Sequence, residues 1–578
     1  MTLWSRNDLY SALVDLLSAH ARAYAFSEMP IRVIKLPEIV FLERDGLASH
    51  LLNKLKIQPT QVFAETSVED IRDFLYNNPS IMHLCQSIAE RWLEKEARYI
   101  ILSHTWEGDE LTYKDFFNAE KRARCSQSYD KLQQFFTITH KDFGVRYAWA
   151  DTVCIDKSSS SELDESIRSM FTWYLKSHAC LVYLSRTLSL QDLAADRWFT
   201  RGWTLQELLA PRLLKFYNKN WQPLTHLQND KKALGRRPQP PIPRSHTELA
   251  RMILTDINTG TSHLIDADLD AATREEVSQL ESAVLKATGI SMNDIIDFKP
   301  GFSDNLAKRM RWIAHRNTTR AEDKSYCMMG IFGVSMSVAY GEGAERAFFR
   351  LFETILKVSS SPDLFLWAGK PVQHDIHASY MIPSSPECFV HGTLPCPPAN
   401  FEWDGGQPSL LPPREPITLT NVGICISVLA IPEVQLLSYQ DPGRTSPKTM
   451  HLNTALSDDV VKVTLLNDEW LSFRVYQDRS RALTGELAFG VCNFTARPEG
   501  SKPRVPQRFW VILLYRRDAK ERWRKLSTNH VITFEIAQRL RYKELEPCHV
   551  AREWTGSAIG SSWRLPETPQ MTLQTLYL

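Results

Sequence analysis

The chain has 578 residues, too many for one hydrophobic core, so roughly two to four domains are expected. Apolar residues make up 43%, with 16 Trp and 26 Phe, which excludes a disordered chain. With 68 Lys and Arg against 67 Asp and Glu, the net charge is +1, which excludes a bulk field drawing the protein to nucleic acid or an anionic membrane.

No stretch reaches the ~20 apolar residues of a membrane span. The start, MTLWSRNDLY, lacks the basic, apolar and small-residue pattern of a secretion leader. Ten cysteines, from Cys85 to Cys548, are scattered without a CxxC pair. That spacing predicts reduced thiols, no zinc or thioredoxin-type site, and a cytoplasmic location.

Residues 1–95 read as a mainly helical extension. SVEDIRDFLYNN opens with a capping-box pattern, Ser67 three residues before Asp70. IMHLCQSIAERWLEKEA spaces Ile81, Leu84, Cys85, Ile88, Trp92 and Leu93 along one helical face.

Residues 96–222 alternate strand and helix. YIILS (99–103), YAWAD (147–151), CLVYL (180–184) and LLKFY (213–217) are strand candidates. Polar helical sequence runs to about residue 140. ELDESIRSMFTWYLKSH follows with Ser161 as its expected cap, and FTRGWTLQELL (199–209) reads as a helix. This alternation predicts an α/β domain with a parallel sheet and right-handed crossovers.

Residues 223–300 form a Pro-rich linker and helical insertion, with RRPQPPIPRSH (236–246) too rich in proline for regular structure. Residues 301–370 are helical, with Phe348, Leu351, Phe352 and Ile355 on one face. Arg309, Arg311, Arg316 and Arg320 read as salt-bridging surface groups rather than a nucleic-acid site. Gly341-Glu342-Gly343 reads as a turn. From 371 to 578, runs such as GICISVLAI, VVKVTLLN, WLSFRVYQ, RFWVILLYRR and HVITFEIA predict a separate all-β, sandwich-like domain.

In an open parallel sheet, ligands bind beyond the carboxyl ends of the strands. Beyond the first strand lies Ser103-His104-Thr105-Trp106-Glu107-Gly108-Asp109-Glu110. Asp151 ends the second, with Thr152-Val153-Cys154-Ile155-Asp156-Lys157 after it. Beyond the third comes Arg201-Gly202-Trp203-Thr204-Leu205-Gln206-Glu207. One rim thus collects acidic and aromatic residues.

Each has a plainer reading. Asp109 and Glu110 suit a solvated loop, and Asp151 and Asp156 suit turns or caps. Cys154, between Val153 and Ile155, suits a small buried hydrophobe, and His104 has no partner identifiable from spacing. Glu207 differs, because it lies four residues after Trp203 on the same helical face, where an adjacent indole and a sheet rim favour a shifted pKa or a stabilised cation. GxxxxGK[ST], GxGxxG, HExxH and GxSxG are absent.

Three blocks, YIILSHTWEGDELTYKDF, YAWADTVCIDKSSSSELDESIRSMFTWY and DRWFTRGWTLQELLAP, closely resemble the fungal heterokaryon-incompatibility (HET) domain. A fourth, RMRWIAHRNTTRAEDKSYCMMGIFGVSMSVAYGEGAERAFFRLFETIL, resembles the helical segment that follows it in many such proteins, and is expected to pack on it. The resemblance implies a role in allorecognition and programmed cell death. It also implies a distant relation to Toll/interleukin-receptor (TIR) domains, hence a TIR/flavodoxin-like sheet.

Some TIR domains cleave NAD through a glutamate in a W-x-x-x-E-L helix, which Trp203, Glu207 and Leu208 reproduce. The resemblance therefore implies Glu207 as catalytic residue and NAD as substrate, without a resident cofactor or metal. Ser103, Trp106, Asp109, Asp151, Cys154, Asp156, Arg201 and Trp203 line the nucleotide site in this reading. The alternative is a non-catalytic adaptor acting by self-association or with other incompatibility proteins. A sensing role for the β domain is compatible with either.

Overall fold

The computed structural model describes residues 19–57, 81–233, 271–301, 306–359, 361–372, 381–390, 417–420, 423–431, 435–438, 449–453, 459–465, 485–492, 508–526, 531–541, 553–555, 561–564 and 572–577. Two compact units divide the chain, 1–299 and 300–578. The expected capping box at Ser67, the proline cluster at 236–246 and the WLSFRVYQ strand lie outside the described residues.

The first unit is built on a mixed sheet of six strands: β1 (Arg32–Lys35), β2 (Val40–Glu43), β3 (Tyr99–His104), β4 (Tyr147–Trp149), β5 (Ala179–Tyr183) and β6 (Leu214–Tyr217). Their order is β2-β1-β4-β3-β5-β6. The last four are the strands expected from sequence. They run parallel, with Ile100 level with Ala148 and Ala179, and Cys180 level with Leu214. Every residue of β3, β4 and β6 is buried, as near-continuous apolar runs in a parallel sheet require.

After β3 the chain first adds β4 on one side and then crosses to add β5 on the other. The sheet therefore reverses direction between β3 and β5.

The hairpin β1–β2 interrupts a segment whose described residues are otherwise mostly helical, at 19–27, Arg44–Ile57 and Ile81–Glu96, and it was not expected from sequence. It pairs antiparallel to β4 through Ile34 and Ala148, extending the sheet. RVIK and VFLE are only four residues each, too short for a period-2 signal to emerge, and pairing on the β4 edge decides their conformation.

Helix α1 (Ser126–Lys141) buries Leu132, Phe135, Phe136 and Ile138. Helix α2 (Ser160–Lys176) buries Ile167, Met170, Phe171, Trp173 and Tyr174. Its cap is Ser159, two residues before the expected Ser161, and its side chain accepts from the Glu162 amide. The Trp149 and Trp173 rings meet edge to face at 5.7 Å, and the Tyr99 hydroxyl donates to the Trp173 carbonyl.

The helix expected over 199–209 is shorter. A tight turn at Arg197–Thr200, capped by Asp196 on the Trp198 amide at 2.9 Å, comes first, and helix α3 spans Thr204–Leu209.

In the second unit, the Ala344–Leu356 helix buries Phe348, Leu351, Phe352 and Ile355 as one face, as expected. Gly341 and Gly343 form the expected turn at φ +95° and +85°, and their amides donate to Glu322 Oε1 at 2.9 and 3.1 Å. Two of the four clustered arginines are not surface groups: Arg309 and Arg316 are buried, whereas Arg311 is half-buried and Arg320 exposed. Arg309 Nη1 donates to the Gly301 and Ile331 carbonyls at 2.6 and 2.7 Å.

Further on, among the described residues, nine strands between Thr418 and Tyr577 form one antiparallel sheet, and Gln435–Ser438, Glu553–Thr555 and Ser561–Arg564 form a smaller one. The β-rich C-terminal region is thus separate from the α/β sheet. No helix among the described residues is long and apolar enough to cross a membrane.

Candidate functional site

The reversal between β3 and β5 opens the carboxyl rim of the sheet, where chain ends diverge and side chains from several loops can converge. Ser103 lies near the end of β3, and its hydroxyl donates to Glu207 Oε2 on α3 while accepting from Trp198 Nε1 at 2.7 Å. The Tyr174 hydroxyl, on α2, donates to the Leu102 carbonyl at 3.2 Å and lies beside the same carboxylate.

Glu207 is 8% exposed. Burial pushes its carboxyl up to about 7; the Asp151 charge adds to the rise, while the Ser103 and Tyr174 hydroxyls and the Arg201 guanidinium oppose it.

A second carboxylate sits at the same rim with the opposite bias. Asp151 opens the helical turn Asp151–Cys154 directly after β4. Its Oδ2 accepts from Trp106 Nε1 at 3.1 Å and lies 3.7 Å from Lys157 Nζ; its Oδ1 lies 3.3 Å from His104 Nε2, out of line for a hydrogen bond. Burial alone would raise this carboxyl, but Lys157, His104 and Arg201 outweigh it and hold Asp151 well below the usual carboxylate range.

The Lys157 ammonium rests over the Trp106 ring, 3.5 Å from its centroid. His104 is buried, and burial and the Lys131 ammonium, 3.0 Å from Nδ1, lower its pKa, against the pull of Asp151 and Glu110. Lys131 in turn pairs with Glu110 at 2.5 Å, and Glu110 also accepts from Ser128 at 2.7 Å.

The rim therefore holds two carboxylates whose environments drive their ionisation apart. At neutral pH Asp151 is an anion, while Glu207 is poised to carry a proton. Such a division supplies an electrostatic stabiliser and an acid–base group to one reaction.

Of the residues expected at the site, the structure brings together Ser103 with Glu207, and Trp106 with Asp151. Arg201 Nη1 donates to the His104 carbonyl at 3.4 Å, and its charge acts on both carboxylates. Trp203 is half-buried at the start of α3. Asp109 is exposed, beside Gly108 at φ +64°. Asp156 turns to its own loop, accepting from the Ser158 amide and hydroxyl at 3.0 and 2.6 Å. The Cys154 thiol is buried and pushed up to about 12 by that burial. Among the described residues no cluster of His, Cys, Asp and Glu is arranged to hold a metal ion.

Tyr174, Trp198, Lys131 and Lys157 were not among the expected site residues. Lys157 was legible as a neighbour of Asp156. Tyr174 and Lys131 carried no local signal, because each lies on a helix whose polar contact is made across the sheet.

This fold and rim define an α/β domain with an acidic and aromatic site at its strand ends. Residues 99–193 match the family model described as heterokaryon incompatibility protein (HET). The vegetative incompatibility protein HET-E-1 of Podospora anserina is 35% identical over 272 residues. The alignment spans 45% of this chain but 16% of that relative's length. No solved structure gives a significant match.

Proposed function

We propose that this protein acts in fungal heterokaryon incompatibility as a death effector in the cytoplasm, and that its HET domain cleaves the nicotinamide–ribose bond of NAD. The observation that carries the chemistry is Glu207, a buried carboxyl poised near neutral pH at the reversal of the sheet, within reach of Ser103 and of the Asp151 cluster. Breaking the glycosidic bond develops positive charge on the ribose, which Glu207 stabilises in its ionised form, populated as the pH rises through about 7. Trp106, 40% exposed, offers a ring on which the nicotinamide or adenine stacks. The strand order β4-β3-β5-β6 supports the TIR/flavodoxin-like reading of the parallel core.

A second reading, a TIR-like adaptor working by homotypic assembly, is favoured by the burial of Glu207 and its occupation by Ser103. In that case the carboxyl organises the rim rather than meeting a substrate. Purified full-length protein incubated with NAD separates the two. Nicotinamide release that falls about a hundredfold or more in Glu207→Gln supports cleavage. No release from any assembled form of the wild type overturns it. In a fungal host, killing that persists in Glu207→Ala assigns the signal to assembly.

A further inference from the structure

The family match covers residues 99–193, and the part of the rim inside it is braced by residues that precede it. The hairpin β1–β2 contributes Arg32, a buried guanidinium that spans three partners. Its Nη1 donates to the Cys154 carbonyl at 3.0 Å and to Glu162 Oε1 at 2.9 Å; its Nη2 reaches Glu43 at 3.2 Å and Glu162 Oε2 at 3.4 Å. Its flat face lies on the Tyr113 ring, 3.9 Å from the centroid.

Glu162 also accepts from the Asp156 amide at 2.7 Å. The Arg32–Glu162 pair thus grips the chain at residue 154 and at residue 156. That short segment is flanked by the two residues that meet at Trp106: Asp151 opens the turn before it, and Lys157 follows it. The same hairpin backs the loop after β3, where Phe41 packs at 5.3, 5.4 and 5.1 Å against Tyr113, Phe116 and Phe117. Two of the rim's loops are therefore held by residues that precede the matched region.

We propose that Arg32 is a positioning residue for the rim: it fixes the segment after β4 so that Asp151 and Lys157 hold Trp106, and the functional unit therefore begins at the N-terminal hairpin. A planar fork is needed for this. A lysine ammonium is a point charge and cannot meet the Cys154 carbonyl and both Glu162 oxygens in one plane. The link to activity rests on the NAD-cleavage reading; the positioning itself does not.

The test uses the full chain labelled with 5-fluorotryptophan, with Trp106→Phe assigning the Trp106 resonance in the fluorine spectrum. Arg32→Lys and Glu162→Gln, each folded as judged by the other tryptophan resonances, are expected to shift or broaden the Trp106 signal. Nicotinamide release should fall at least about tenfold, since small misplacements of catalytic groups carry such costs. Glu43→Gln, which removes the exposed arm of the cluster, should move neither. A Trp106 signal unmoved in both folded variants overturns the proposal, whatever the activity. If Arg32→Lys does not fold, Glu162→Gln carries the test alone. If the wild type releases no nicotinamide, the functional reading fails while the Trp106 signal still decides the positioning.

Discussion

At the scale of single residues, Glu207 sets the pH behaviour of the first unit. Its carboxyl titrates near 7 in the folded protein, against 4.5 as its ordinary value, because burial penalises the anion. Below about pH 4.5 the group is protonated in both states and carries no penalty. Between 4.5 and 7 the folded state keeps the proton that the unfolded chain releases, so stability falls as pH rises, and above 7 the loss is complete. A shift of this size amounts to roughly 3 kcal/mol at full ionisation. Glu207→Gln should therefore be more stable than wild type at pH 8, by up to that amount, and about equal to it at pH 4.5. Denaturant titrations at the two pH values measure the difference; a gap that does not widen with pH contradicts the buried, raised carboxyl. Asp151 has no such liability near neutrality, because Lys157, His104 and Arg201 keep it ionised despite its burial.

At the scale of elements, α3 has six residues, too few to be helical by itself. All six are buried, and its end is held from a distance by Lys231, whose buried ammonium donates to the Leu209 and Pro211 carbonyls at 2.7 and 2.8 Å. Burial pushes that lysine down to about 8. Lys231→Ala leaves two buried carbonyls unmet and should cost about 1–3 kcal/mol at neutral pH. If the protein cleaves NAD as proposed, the variant should also lower nicotinamide release, because the Glu207 carboxyl rides on the helix that loses its anchor. Unchanged stability in this variant means that water satisfies the carbonyls. The expected helix over 199–209 shortened for a related reason. Asp196 draws the chain into a separate turn, and periodicity alone does not register such a cap.

At the scale of the whole molecule, every side chain of the candidate site belongs to the first unit, and the β-rich region forms its own sheets. On the proposed cleavage, a fragment of residues 1–299 should release nicotinamide at a rate within about threefold of the full chain, with the same dependence on Glu207. A folded fragment that is inactive while the full chain is active locates a required group in residues 300–578. If deletion of 371–578 instead makes the protein constitutively toxic in a fungal host, that region restrains the effector.

The four parallel strands, the two long helices of the first unit and the apolar face of the Ala344–Leu356 helix were legible in the sequence, the strands because they alternate with helical sequence and the helices because each is long enough for its periodicity to dominate its conformation. So was the placement of Glu207 and Ser103 at one rim of the sheet, since the strand-end rule and helical spacing need only local order. What lay beyond reach was everything settled by contact across the sheet. The β1–β2 hairpin exists because β4 has an edge to pair with, and its four-residue strands announce nothing alone. Arg309 and Arg316 looked like surface charges until the fold closed over them. The pairing of Ser103 with Trp198, of His104 with Lys131, and of Arg32 with Cys154 joins residues between 27 and 122 positions apart. Residue type determined which groups could take part in the site; only the packed sheet, by excluding water from them, decided which carboxyl keeps its charge and which holds a proton.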